Sequence, residues 1–201
     1  VNMLDALGTA VKEEEVVPGM QAEEEEGGEE DPEYDEHVWL SLKNAVALTN
    51  VLADNIQALD PDNKSDYMEN AGKYVDELTV SKGKRQAILF GDRFPFRYMA
   101  DDYGLTYYAA FVGCSAESEA SFETITFLAQ KVDELKLPVI LTIEGADHSI
   151  AESIKKTTDS KNQEILTMNS MQSVTAKAVA DGETYLNVME DNLNVLSQAL
   201  N

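Results

Sequence analysis

One cysteine, two histidines and one tryptophan are spread over 201 residues, and 15 basic side chains face 38 acidic ones. With a single thiol, Cys114, no intrachain disulfide can form; a lone thiol suits the cytosol and equally an exported protein that never needed a bridge. A formal charge of −23 excludes a nucleic-acid surface, which needs Lys and Arg clustered against phosphates. The same deficit argues against electrostatic docking on anionic lipid. No apolar run is long enough to span a bilayer, and no basic-then-apolar start reads as a signal peptide. Val1-Asn2-Met3-Leu4-Asp5-Ala6-Leu7-Gly8 reads instead like the middle of a domain. Catalytic signatures are missing too: there is no G-x-S-x-G elbow, no G-x-x-x-x-G-K-[ST], no G-x-G-x-x-G and no H-E-x-x-H. Ser115 has no histidine suited to act as its base, and a glycosidase-like carboxylate pair has no particular support among so many acids. No enzyme is expected.

What is present is unevenly distributed. Between Lys12 and Glu36 stand 13 acidic residues and one lysine, so this stretch supplies −12 and the rest of the chain −11. Residues 12–36, with Glu23-Glu24-Glu25-Glu26-Gly27-Gly28-Glu29-Glu30 at their centre, lack apolar periodicity and are expected to form a mobile acidic loop. From His37 the pattern changes. Val38, Leu42, Ala45, Leu48, Leu52, Ile56 and Leu59 recur at helical steps up to Asp60-Pro61, which predicts one amphipathic helix. A second helix follows, capped at Asn63 or Ser65 and carrying Tyr67, Ala71, Tyr74 and Leu78.

Beyond it, short apolar runs alternate with helical ones. Strands are predicted at 87–90, 107–111, 138–143 and 164–168, with helices around 96–103, 121–135, from 147–149 onward, and 183–200. This alternation implies right-handed crossovers and a four-stranded parallel sheet flanked by helices, an α/β fold preceded by a long helix pair and the acidic loop. Ligands of such sheets sit at the carboxyl ends of the strands. That rule selects the turn Gly91-Asp92-Arg93, the loop Gly113–Glu119 and the segment Glu144–His148.

An imidazole with carboxylates from separate loops suits zinc, and more oxygen ligands suit manganese. His37 and His148 are the only imidazoles. Each has an ordinary alternative: His37 as an N-terminal turn residue, His148 as a solvent-exposed residue one turn into a helix. Glu117 and Glu119 precede the helix at 121, where a carboxylate also complements the helix dipole. Asp92 also reads as the N-cap of a short helix, and Cys114 as a small buried thiol or a soft ligand.

Several strings then become recognisable. Asp35-Glu36-His37-Val38-Trp39-Leu40-Ser41-Leu42-Lys43-Asn44-Ala45 resembles the D-P-H-V-W-L-D-P-x-N-A segment of the zinc/manganese solute-binding proteins of ABC transporters. Tyr98-Met99-Ala100-Asp101-Asp102-Tyr103-Gly104-Leu105 is similar to their Y-L-A-x-x-Y-G-L. Gly113-Cys114-Ser115-Ala116-Glu117 is similar to their G-x-S-x-E loop, and residues 182–193 to their G-x-x-Y-x-x-x-M-x-x-N-L close. The resemblance covers about residues 34–200 and implies a metal held between two α/β lobes.

By that resemblance His37 is a metal ligand, with Glu117 from the G-x-S-x-E loop. The histidine of the family's H-x-A-F-x-Y-L-A string is missing here; Gly91-Asp92-Arg93-Phe94-Pro95-Phe96-Arg97 stands in its place, and Asp92 is the expected substitute. The last ligand is His148 or Asp147. The family's first ligand histidine lies upstream of Val1, so residues 1–62 read as a remnant of the amino-terminal lobe, 63–82 as a connecting helix and 83–201 as the carboxy-terminal lobe. The implied function is extracytoplasmic capture of Zn²⁺, alternatively Mn²⁺, and delivery to an ABC importer's membrane permease. The protein would be a monomer, periplasmic or lipid-anchored outside a Gram-positive membrane. The acidic loop either gathers cations weakly or only solubilises. The alternative function is a non-metal adhesion or interaction module; a small hydrolase is a distant third.

Overall fold

The computed structural model describes residues 1–21, 33–76, 85–113, 115, 119–145 and 147–201. A short helix α1 (Met3–Leu7) precedes the acidic stretch. Next come a single 3-10 turn, Val38–Leu40, and the long helix α2 (Leu42–Leu59). α3 (Lys64–Asp76) packs on α2. The sheet then builds in order as β1 (Ala87–Phe94), α4 (Arg97–Tyr103), β2 (Thr106–Val112), α5 (Phe122–Leu135), β3 (Val139–Ile143), α6 (Ser149–Thr157) and β4 (Glu164–Met168), closed by α7 (Ala176–Ala180) and α8 (Tyr185–Leu200). All pairings are parallel and the strand order is β2-β1-β3-β4.

Each strand carries apolar residues on both sides because both faces are covered, as in doubly wound sheets. Ile88, Phe90, Phe94, Leu141 and Met168 pack in one layer with Leu42, Ala45, Leu196 and Leu200 of α2 and α8. Leu89, Phe111 and Ile140 face the other layer, with Leu128 and Val132 of α5 and Ile154 of α6. The connection from β1 moves outward to β2, and the next one steps back across β1 to β3. This reversal opens a crevice at the carboxyl ends of β1 and β3, where such folds hold their ligands.

Three expectations need correction. The turn placed at Gly91-Asp92-Arg93 is part of β1, which runs on to Phe94 through an irregularity in its pairing with β2 between Phe90 and Arg93. The helix expected from Val38 starts at Leu42. Ser41 breaks it off from the 3-10 turn and caps it, its hydroxyl accepting from the Asn44 N–H at 2.9 Å. The apolar stripe of α2 is buried only over its first half. Leu52, Ile56 and Leu59 are exposed, although α3 packs on α2. The short α7 had no apolar periodicity to announce it.

The limbs of the acidic stretch are not free. Glu13 and Tyr34 form an antiparallel bridge, the Glu14 N–H donates to the Glu33 carbonyl at 2.9 Å and the Asp35 N–H to the Lys12 carbonyl at 2.9 Å. The pair is tied to the body: the Lys12 N–H donates to the Tyr98 hydroxyl at 2.9 Å and the Gln21 N–H to the Ala110 carbonyl at 2.9 Å. Arg97 donates to the Glu13 carbonyl and pairs with Glu15 at 3.2 Å. Repeated carboxylates along 13–15 thus meet a cation and a strand-like ladder that hydropathy alone does not reveal. The run Glu23–Glu30 lies outside the described residues.

Gly91 is where α6 rests on β1. A Cβ there would stand 2.6 Å from Ala151 Cα and 2.8 Å from Ala151 Cβ. Neither backbone can yield without separating helix from sheet. Gly91→Ala is expected to destabilise the chain by about 2 kcal/mol, the scale of an overpacked core, read from urea unfolding followed by circular dichroism.

Candidate metal-binding site

His37 enters the body of the protein and is fully buried. Asp35, itself 4% exposed, holds it twice with one oxygen: Oδ1 accepts from the His37 N–H at 2.9 Å and from Nδ1 at 2.8 Å. Asp35 is in turn fixed, because the Tyr98 hydroxyl donates to its carbonyl at 2.8 Å. A carboxylate can only accept, so Nδ1 carries the hydrogen toward Asp35, and Nε2, which the Gln172 side-chain amide touches, is the nitrogen left for a further partner. This carboxylate–imidazole pairing is how proteins fix the tautomer and aim of a metal-binding histidine.

The ring is seated between Gly113 and Trp39. A Cβ on Gly113 would come within 3.0 Å of His37 Cε1 and 3.1 Å of Nδ1, so a glycine at the end of β2 leaves the imidazole its space. The Trp39 ring lies 5.5 Å away, tilted. Its indole N–H donates to the Ser170 carbonyl at 3.0 Å, which ties the turn after β4 to the histidine. Asp35→Asn keeps the shape and one acceptor but loses the charge that orients the ring; metal affinity is expected to fall about tenfold, the lower range for such partners, with an unchanged far-ultraviolet circular dichroism spectrum. Isothermal titration with zinc chloride checks it.

Glu144 opens the segment Glu144–His148 selected by the strand-end rule, in which only Asp147 and His148 are expected as ligands. It is the first residue beyond β3 and half-buried. Its Oε2 accepts from the Ser170 N–H at 2.7 Å, and its Oε1 from the Ser170 hydroxyl at 2.7 Å and the Gln172 N–H at 3.2 Å. The Gln172 side-chain amide touches His37 Nε2. His37 and Glu144 are therefore one step apart, joined through Gln172. The available signal was topological: in a parallel sheet the first residue past a strand is favourably placed for a ligand, whereas the search for an imidazole drew attention on to His148.

Asp92 has a structural task. It is 7% exposed, and its oxygens accept from the Arg93 N–H at 2.8 Å and the Ile143 N–H at 3.3 Å, bracing β1 to β3. Burial pushes its carboxyl pKa up, against the pull of those two N–H groups and of the nearby Arg93 and His148. It does not cap α4, which begins after Phe96. Arg93 pairs with Asp92 at 3.8 Å and donates to the Ser115 carbonyl at 3.3 Å, which anchors the start of the loop after β2. His148 sits at the N-cap position of α6 with a left-handed φ of 61°, before the helix rather than one turn into it. Its neighbour Asp147 accepts from the Ser149 N–H at 2.9 Å. Among the described residues no three His, Cys, Asp or Glu side chains gather into a metal-holding group. Glu117 and Cys114 lie outside the described residues.

Comparisons with known proteins give the chain its family. Residues 2–199 match the family model of ZnuA, the periplasmic zinc-uptake complex component A, and the chain belongs to that family. It is 32% identical over 198 residues to the zinc-binding lipoprotein AdcA of Streptococcus pneumoniae, an alignment covering 91% of this chain and 38% of that protein. It is 27% identical over 186 residues to the manganese ABC transporter substrate-binding lipoprotein PsaA of Streptococcus mitis, covering 87% of this chain and 57% of the relative. The crystal structure of the Zn(II)-bound ZnuA-like domain of Streptococcus pneumoniae AdcA superposes with a TM-score of 0.64 at 30% identity, over 87% of this chain and 66% of that one. The chain thus spans 38% and 57% of the lengths of these two curated relatives.

Proposed function

We propose that the chain captures a transition-metal ion, zinc first and manganese as the alternative, and hands it to the membrane permease of an ABC importer on the outer side of the membrane. It acts by binding and release, without catalysis. His37 Nε2 is the principal ligand and Glu144 the carboxylate beside it. Glu117, two residues beyond Ser115 in the sequence, completes the expected set. Asp92 and His148 rank behind these, since the one braces the sheet and the other stands at the start of α6. The site forms where His37, in residues 1–62 read as part of an amino-terminal lobe, meets the strand-end segments of a carboxy-terminal lobe of about residues 83–201, with 63–82 connecting them. The AdcA and PsaA relatives, described as zinc-binding and as a manganese transporter component, support both choices of metal.

The observation that carries this reading is the setting of His37: a buried imidazole whose Nδ1 meets the Asp35 carboxylate and whose Nε2 faces Gln172, in the turn that Glu144 holds. Binding of an ion to the folded state alone adds about 2.7 kcal/mol of stability at a hundredfold excess over Kd. Zinc chloride is therefore expected to raise the melting temperature by several degrees, and manganese chloride by less. An unchanged melting temperature with both ions would refute the proposal.

A further inference from the structure

We infer that Gln172 is an internal gate on the metal ligand: its side-chain amide caps His37 Nε2 in the ion-free protein and has to leave before an ion can bind there. This inference rests on the reading of His37 as a ligand. Three observations carry it. With Nδ1–H committed to Asp35, Nε2 has only a lone pair to offer, and the Gln172 Nε2–H group is the donor that meets it. An amide hydrogen and a cation cannot share that lone pair. The contact is also prepared by the backbone. Asn192, 3% exposed in α8, holds Asn169 on both sides, its Oδ1 accepting from the Asn169 N–H at 2.7 Å and its Nδ2 donating to the Asn169 carbonyl at 2.8 Å. Asn169 Oδ1 then accepts from the Met171 N–H at 2.8 Å. Met171 takes a left-handed φ of 60°, a conformation seldom adopted by a residue with a long side chain unless its surroundings impose it.

Third, the same turn is held by Glu144 through Ser170 and the Gln172 N–H. The carboxylate proposed to join the ion thus spends its oxygens, before the ion arrives, on the segment that carries the gate. Gln172 itself is exposed on its outer side, so its side chain can rotate away while Ser170 stays buried. Ion entry exchanges one amide hydrogen bond for one coordinate bond at Nε2, and no covalent bond changes. Affinity is accordingly set lower than the bare ligands would give, which eases release.

The test uses the 201-residue chain and the variants Gln172→Ala and Gln172→Met, the latter keeping the bulk without the donor. Without metal, diethyl pyrocarbonate acylates an unprotonated imidazole nitrogen, and mass spectrometry of the peptides reads His37 separately, with His148 as internal reference. The account expects His37 to be labelled several-fold faster in both variants, more so in the alanine one, and their zinc Kd in titration to fall about fivefold, since a net hydrogen bond contributes on the order of 1 kcal/mol. Unchanged labelling of His37 relative to His148, or a weaker zinc affinity in Gln172→Ala, would overturn the gate. Failure of the metal reading is distinguishable, because it appears as equal zinc affinity in His37→Ala and the parent chain, a comparison that does not involve Gln172.

Discussion

His37→Ala is expected to weaken zinc binding at least a hundredfold, about 2.7 kcal/mol of binding free energy. The imidazole is the principal ligand proposed for the site, and zinc gains strongly from such a donor. The substitution also removes the group that Asp35 was placed to hold. Asp35 Oδ1 keeps the backbone N–H of residue 37 but loses the imidazole donor, and a hydrogen bond to a charged group contributes about 1.5–3 kcal/mol, so the variant should be less stable as well. The two effects separate cleanly. Titration with zinc chloride reads the first and urea unfolding the second, and the binding loss should persist at temperatures where both proteins are fully folded. A variant that stayed folded and bound zinc as tightly as the parent would remove His37 from the site.

The second large effect is expected at Glu144. Its two oxygens serve three donors, the Ser170 N–H, the Ser170 hydroxyl and the Gln172 N–H. Glu144→Gln replaces one oxygen by an amide that must face an N–H or O–H donor. Ser170 is fully buried, so its N–H cannot turn to water. The expected cost is about 2 kcal/mol of stability, the range for an orphaned buried polar group, together with roughly tenfold weaker zinc affinity through loss of the negative oxygen ligand. Urea unfolding and isothermal titration on the same preparation measure both. A variant altered in stability alone would make Glu144 a brace of the turn rather than a ligand.

Much of the fold could be read from the residues. The apolar runs at 87–90, 107–111 and 138–143 mark strands because a parallel sheet covered on both faces tolerates little alternation, whereas 164–168 is the edge strand β4, with Glu164 and Thr167 exposed. The stripe Phe122, Ile125, Leu128, Val132 and Leu135 marks α5 for the complementary reason, although Phe122 is exposed at its start. What could not be read depended on partners distant in the chain. Gly91-Asp92-Arg93 looks like a turn, yet Gly91 is required for α6 to approach β1, and Asp92 finds its acceptor's role on Ile143. Leu52, Ile56 and Leu59 keep helical spacing but lack anything to pack against among the described residues.

For the site, the sequence pointed to His37, which the structure places buried with its Nδ1 on Asp35 Oδ1. The carboxylates were harder. Acidic residues are so numerous that composition cannot rank them, and the distinction between Asp92 and Glu144 lies in what each oxygen touches. Asp92 closes onto the backbone of β1 and β3; Glu144 closes onto the turn that faces the histidine. The acidic stretch is a further case, since its limbs are fastened by Arg97, Tyr98 and Ala110, three residues far away in the sequence. Nothing in these contacts favours an adhesion surface over ion capture.

The central claim is that an ion binds this chain through His37 Nε2, and X-ray absorption on the zinc-loaded protein tests it most directly. The account predicts imidazole scattering beside oxygen ligands, with first-shell distances of about 2.0–2.2 Å, and loss of the imidazole contribution in His37→Ala. A spectrum of oxygen ligands alone, or one unchanged by that substitution, would contradict it.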